Sequence, residues 1–249
     1  MDLGSRLRTH PLGVSARLKQ SVVLTYAVPA ERLRPLLPPP LTLEVWREHP
    51  GLGYLAVAMV RARDLRPEGL PRVMGRDFFL VGYRVFVRYE DLRGRRLRGL
   101  YILGSATDSR MMSRMGDLMT DYRYALIDVS EDTRAFSYAV TSKKGGLDVC
   151  VSWKKPAGLP EGSPFSDWKA ARRFAGPLPF TFGYDVPNAR VIVVEGVREH
   201  WTPEPVQVWR DNVDFLRDER FRDARLAAAF RVHDVPYHWK PGYTEPWPR

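Results

Sequence analysis

Asp77-Phe-Phe-Leu-Val-Gly-Tyr-Arg-Val-Phe-Val-Arg-Tyr89 and, shortly after it, Arg96-Leu-Arg-Gly-Leu-Tyr-Ile-Leu103 decide the fold. Both runs are rich in β-branched and aromatic residues, which fit a pleated, half-buried surface. Asp91 and Gly94 lie between them as turn residues, so the pair reads as a hairpin. The same pattern extends in both directions. Upstream, Ser21 to Val28, Leu41 to Arg47 and Gly53 to Arg63 read as strands. Downstream, Tyr122 to Val129, Arg134 to Ser142 and Leu147 to Trp153 continue it, with Lys143-Lys-Gly-Gly146 as a turn that tolerates positive φ. Arg190 to Trp201 and Pro205 to Arg210 follow, and Phe230 to Trp239 is placed to close the sheet.

Helices are few. Pro29 to Leu37 has proline in its first turn and stops at Pro38-Pro39-Pro40. Phe165 to Phe174 is opened by Ser166-Asp167, and Asp218 to Phe230 puts Phe221, Leu226 and Ala229 on one helical face. The expected fold class is therefore α+β, mainly β: a β-barrel or strongly bent sheet with a few peripheral helices. No composition break marks a linker. We expect one domain over residues 1–249, with 1–14 as an N-terminal arm and 241–249 as a C-terminal tail.

Composition narrows the function classes. The chain has 249 residues, 44 % hydrophobic and 27 % charged, which excludes a disordered, collagenous or coiled-coil protein. Its net charge is +10, carried by 32 arginines and only seven lysines, and no lysine lies between residues 20 and 142. The single cysteine, Cys150, cannot form an internal disulfide, and its valine neighbours read as a buried strand position rather than a catalytic thiol. The N-terminus lacks the apolar core of a signal peptide, and the longest apolar stretch, near Tyr54 to Val60, is too short to span a bilayer. These features point to a cytoplasmic protein without membrane partners. There is no HExxH, GxxxxGK[ST], GxGxxG or GxSxG, so neither a metal nor a cofactor is expected.

Three segments carry candidate chemistry. Arg93-Gly-Arg-Arg-Leu-Arg-Gly could grip phosphate, but it reads as a solvated hairpin tip, and no nucleic-acid partner is expected. Lys143-Lys144 could form a low-pKa pair, but a solvated turn does not desolvate an amine. Ser105 to Met119 holds Asp108, Arg110, Arg114, Asp117 and four methionines. Methionine adapts to a ligand's shape, so this segment reads either as a pocket wall or as a connecting helix packed on the core. Trp201, at an expected strand end, is placed where a pocket mouth would lie.

Val22-Val-Leu-Thr-Tyr-Ala-Val-Pro-Ala-Glu-Arg-Leu-Arg-Pro-Leu-Leu-Pro-Pro-Pro-Leu-Thr-Leu-Glu44 resembles the opening of the acetoacetate decarboxylase-like superfamily. Val197-Arg-Glu-His-Trp-Thr-Pro-Glu-Pro-Val-Gln-Val resembles a late strand pair of that superfamily, and Arg172-Arg-Phe-Ala-Gly-Pro-Leu-Pro-Phe-Thr-Phe is similar to a branch described only as a domain of unknown function. The resemblance covers residues 15–240. It implies a closed, cone-like, antiparallel β-barrel with a buried pocket. It also implies a pair of adjacent lysines, one forming a Schiff base with a keto acid. Here that pair falls at Met112-Ser113 or at Ser113-Arg114, and neither supplies an amine that loses its proton near neutral pH. A carboxylate-holding basic residue falls near Lys19, and an acid of the pocket near Glu68.

The expectation is therefore a small-molecule pocket protein acting on a small anionic keto or carboxylate substrate without Schiff-base lysine chemistry. Lys19, Arg110, Met112, Arg114 and Trp201 are the expected ligand-binding residues; Glu68 and Asp108 are the expected acid–base groups. Decarboxylation, hydration or dehydration, and enolisation all fit. A non-catalytic binding or sensor barrel is the alternative, and a homo-oligomer is expected.

Overall fold

The computed structural model describes residues 9–120, 122–176 and 178–247. The side chains of Met115, Asp117, Leu118 and Met119, and most of the expected N-terminal arm (residues 1–8), lie outside the described residues.

The long strand β1 (Val14–Pro29) leads into a one-turn helix α1 (Ala30–Leu33), which the proline run ends. A short β2 (Thr42–Leu43) precedes the long strands β3 (Leu52–Pro67), β4 (Arg76–Glu90) and β5 (Arg96–Thr107). Ser109 caps helix α2 (Arg110–Met119) by accepting from Met112 N. Then come β6 (Tyr124–Leu126), β7 (Ser130–Arg134), β8 (Ser137–Ser142) and β9 (Leu147–Ser152). Asp167 caps helix α3 (Trp168–Ala175) in the same way. The chain ends with β10 (Phe180–Asp185), β11 (Arg190–Arg198), β12 (Glu204–Pro205), β13 (Gln207–Val213), β14 (Arg225–Trp239) and β15 (Tyr243–Pro246).

Seven strands form a closed ring in the order β1-β3-β4-β5-β10-β11-β14. The β11–β14 pairing, Gly196 to Arg198 against Trp239 to Tyr237, completes the circuit back to β1. Every ring pairing is antiparallel except β5–β10, which is parallel over three residues. A separate four-stranded sheet, β13-β9-β8-β7, packs on one face of the ring.

That packing identifies the outside. Val22, Leu24, Tyr26, Leu55, Val57, Val81, Tyr83 and Val85 share a cluster with Tyr138, Val140, Val149 and Val151 of the second sheet. A four-stranded sheet does not fit inside a ring of seven strands, so this face is the outer one. Residues in register share a face, and the opposite, inner face carries Thr25–Ala56–Arg84 and Val23–Ala58–Gly82 across β1, β3 and β4. Small side chains (Ala56, Ala58, Ala62, Gly82, Ala228) recur there. At one end α3 brings Phe174 to Tyr54, Phe86 and Phe165. At the other, Met112 and Trp201 cover Leu18, Val60, Phe78 and Phe230.

Several local expectations change. Asp218 to Phe230 is not a helix: Glu219–Phe221 is one 3-10 turn, and from Arg225 the chain is strand β14. Ala227 to Ala229 have high helix propensity, but alternation against β1 buries them on both faces of the ring, and pairing overrides propensity. Leu41 to Arg47 shortens to β2, and Tyr122 to Val129 to β6. Within the segment expected as a tail, β15 pairs with β11. No helix among the described residues is long and apolar enough to cross a membrane.

Candidate functional site

Among the charged groups on the inner face, Arg84 stands out because no acid answers it among the described residues. Arg84 sits mid-strand on β4, in register with Ala56 and Ile102. A Cβ at Gly82 would lie 2.8 Å from Arg84 Nε, so this glycine makes the space in which the guanidinium folds back along its own strand. Arg84 Nε is buried with no hydrogen-bond partner, and the side chain forms no ion pair among the described residues. Burial pulls its pKa below the ordinary arginine value, and the charge of Arg198 opposes it further. Tyr237, Tyr124 and Tyr122 are its other electrostatic neighbours. Arg84 nevertheless keeps partial accessible surface, the combination expected of a group lining an internal space.

Arg198, at the end of β11, faces Tyr237 across the closing pair. It donates to Leu178 O at 2.9 Å, and its guanidinium lies 5.0 Å from the Trp201 ring and 5.3 Å from the Tyr237 ring. Burial lowers its pKa too. Trp201 meets Phe230 edge-on at 6.2 Å, and its buried Nε1 has no partner. Two desolvated guanidinium groups without a counter-charge favour an anion, and the fork geometry suits a carboxylate.

The structure brings together two of the sequence-expected residues: Met112 and Trp201 both pack on the Phe230 cluster. The others lie elsewhere. Arg110 and Arg114 are exposed on α2. Lys19 sits 3.6 Å from Asp234, which Arg17 also holds, and its side chain is 40 % exposed. Glu68 is 62 % exposed, 3.7 Å from His238 Nε2. Asp108 accepts from Phe79 N at 2.7 Å and from Arg61 at 2.9 Å, so both its oxygens are engaged in joining β3, β4 and the start of α2. None of the seven lysines is buried, and Lys143 and Lys144 are exposed in their turn. Cys150 is buried. No cluster of metal-ligating side chains occurs among the described residues.

Arg84, Arg198 and Tyr237 were hidden among many arginines and aromatics. The available signal was parity: Arg84 stands two residues after a glycine, inside an otherwise apolar strand, on the face that Gly82 and Phe86 share.

Solved structures share this fold. Acetoacetate decarboxylase from Legionella pneumophila is 12 % identical, with a TM-score of 0.61 over 93 % of this chain and 86 % of that one. An acetoacetate decarboxylase-like enzyme from Sphingomonas wittichii RW1 is 14 % identical, TM-score 0.56, over 96 % of this chain and 92 % of that one. The enduracididine biosynthesis enzyme MppR, in complex with a condensation product of pyruvate and imidazole 4-carboxaldehyde, is 14 % identical, TM-score 0.60, over 96 % and 90 %. Among curated proteins no sequence matches. The family model of DUF2071, described as an uncharacterized conserved protein, matches residues 15–244, and the chain belongs to that family.

Proposed function

We propose that this protein is an enzyme that takes up a small carboxylate, of the 2-oxo acid class, inside the ring between Arg84 and Arg198, and acts on it without forming an imine. The observation that carries this reading is Arg84: a desolvated guanidinium with an unpartnered Nε and no acidic partner among the described residues. A ligand carboxylate supplies the missing charge, and each charged hydrogen bond so formed contributes about 1.5–3 kcal/mol. Trp201 and Met112 form the apolar wall. The same guanidinium groups stabilise negative charge that develops on a carbonyl oxygen, which favours enolisation or decarboxylation. That none of the seven lysines is buried supports a non-covalent route. The structural neighbour MppR in complex with pyruvate supports the ligand class.

A ligand carrier is the second reading. It is favoured by the adaptable Met112 wall.

Titration calorimetry with pyruvate and 2-oxoglutarate tests the binding site. Arg84→Met is expected to weaken binding by about 10- to 100-fold, and cyanoborohydride is expected to leave the protein's mass unchanged. Equal affinity in Arg84→Met, or a mass gain matching a reduced imine, contradicts the proposal.

A further inference from the structure

We propose that Tyr237 is the catalytic proton carrier of this site, exchanging a proton with the carbon next to the carbonyl of a bound 2-oxo acid; this rests on the binding reading above.

Three observations converge on it. First, Tyr237 is seated by a glycine. On the inner face of β11, Val194 and Arg198 carry side chains, whereas a Cβ at Gly196 would collide with the Tyr237 hydroxyl and lie 2.8 Å from its Cζ. The phenol therefore lies flat against the β11 backbone, fixed on its other flank by Trp239 at 4.3 Å. Second, the hydroxyl is unspent: it makes no hydrogen bond among the described residues, unlike Tyr26, Tyr89 and Tyr138, whose hydroxyls donate to acids. Third, Tyr237 touches both sides. It stands beside Arg198 and is an electrostatic neighbour of Arg84 inside the ring, and it also lines an open groove of about 390 Å³ with Ser15, Arg66 and Glu199. A group at that boundary meets the ligand on one side and solvent protons on the other.

The step balances without an oxidant or co-reactant. With its own hydroxyl proton passed to water in the groove, the Tyr237 oxygen takes a proton from C3 of the 2-oxo acid. The C3–H bond breaks, a C2–C3 double bond forms, and the carbonyl oxygen takes the negative charge beside Arg84 and Arg198. The phenol exchanges with water, and reversal returns a solvent proton to C3.

The test is loss of the pyruvate methyl signal in D2O, followed by proton NMR with the full chain, beside calorimetric affinity for pyruvate. The wild type is expected to exchange faster than the protein-free blank. Tyr237→Phe is expected to bind pyruvate within about 3-fold of wild type and to lose exchange by about 100-fold or more. Gly196→Ala, which keeps the tyrosine but removes its seat, is expected to lose exchange as well, with its fold checked by circular dichroism. Exchange at the wild-type rate in Tyr237→Phe, or a wild type that binds pyruvate without exchanging it, overturns the role of Tyr237 alone. Absence of binding of pyruvate and 2-oxoglutarate by the wild type overturns the binding reading and this one with it.

Discussion

Arg198 lies close enough to Arg84 to oppose its charge, and neither guanidinium is paired with a carboxylate among the described residues. Such an arrangement costs stability, because desolvated charge is repaid only by a partner. Arg84→Met removes the charge while keeping most of the volume. It is expected to raise stability by about 1–2 kcal/mol, seen calorimetrically as a melting temperature several degrees higher. A lower melting temperature would show that Arg84 is a structural element and not a held-open binding group.

Gly82→Ala probes the same group from its neighbour. The new Cβ would stand 2.8 Å from Arg84 Nε, so the guanidinium must move. Pyruvate affinity is expected to fall several-fold while urea unfolding changes little. Unchanged affinity would place the binding guanidinium elsewhere.

Arg61 acts differently, as a tie. From the outer face of β3 it donates through Nε to Glu131 of the second sheet at 2.6 Å and through Nη1 to Asp108 at 2.9 Å. Tyr138 also donates to Glu131, and burial together with that carboxylate pushes the Tyr138 phenol well above its usual range. Arg61→Met leaves two part-buried acids without a cation. The expected cost is about 2–4 kcal/mol in urea denaturation; a loss under 1 kcal/mol would mean the two sheets hold together by apolar packing alone.

Stability should fall on the alkaline side. Burial, and then Asp211 for Tyr26 and Glu131 for Tyr138, raises these phenols far above the ordinary value near 10; burial alone raises Tyr54, and Tyr83 is pushed up to about 12. A group whose folded value is raised contributes stability that is complete below its unfolded value and is lost as pH climbs toward the folded one. Unfolding free energy is therefore expected to hold level to about pH 10 and decline above it, with tyrosinate absorbance near 295 nm appearing together with unfolding. Tyrosinate absorbance rising fully in a folded protein would contradict the burial of these rings.

The sequence made the strands legible because β-branched and aromatic runs between turn residues are a local signal, and Asp77 to Leu103 is a hairpin in the structure as in the reading. It misled at Ala227 to Ala229, where local propensity argues for helix and the register against β1 decides for strand. The proposed site was legible only in part. Met112 and Trp201 sit in segments whose composition or position marks them. Arg110 and Arg114 share that methionine-rich segment, but the rotation of α2 turns them to solvent. Arg84, Arg198 and Tyr237 come from strands far apart in sequence and meet only because the β11–β14 pairing closes the ring. No local pattern encodes that closure.

A crystal structure of the wild-type protein with a bound 2-oxo acid tests the central claim most directly. The account predicts a carboxylate inside the ring, with oxygens about 3 Å from the guanidinium nitrogens of Arg84 and Arg198 and no covalent bond to the chain. A carboxylate held in the outer groove beside Arg66, or density continuous with a lysine Nζ, would contradict it.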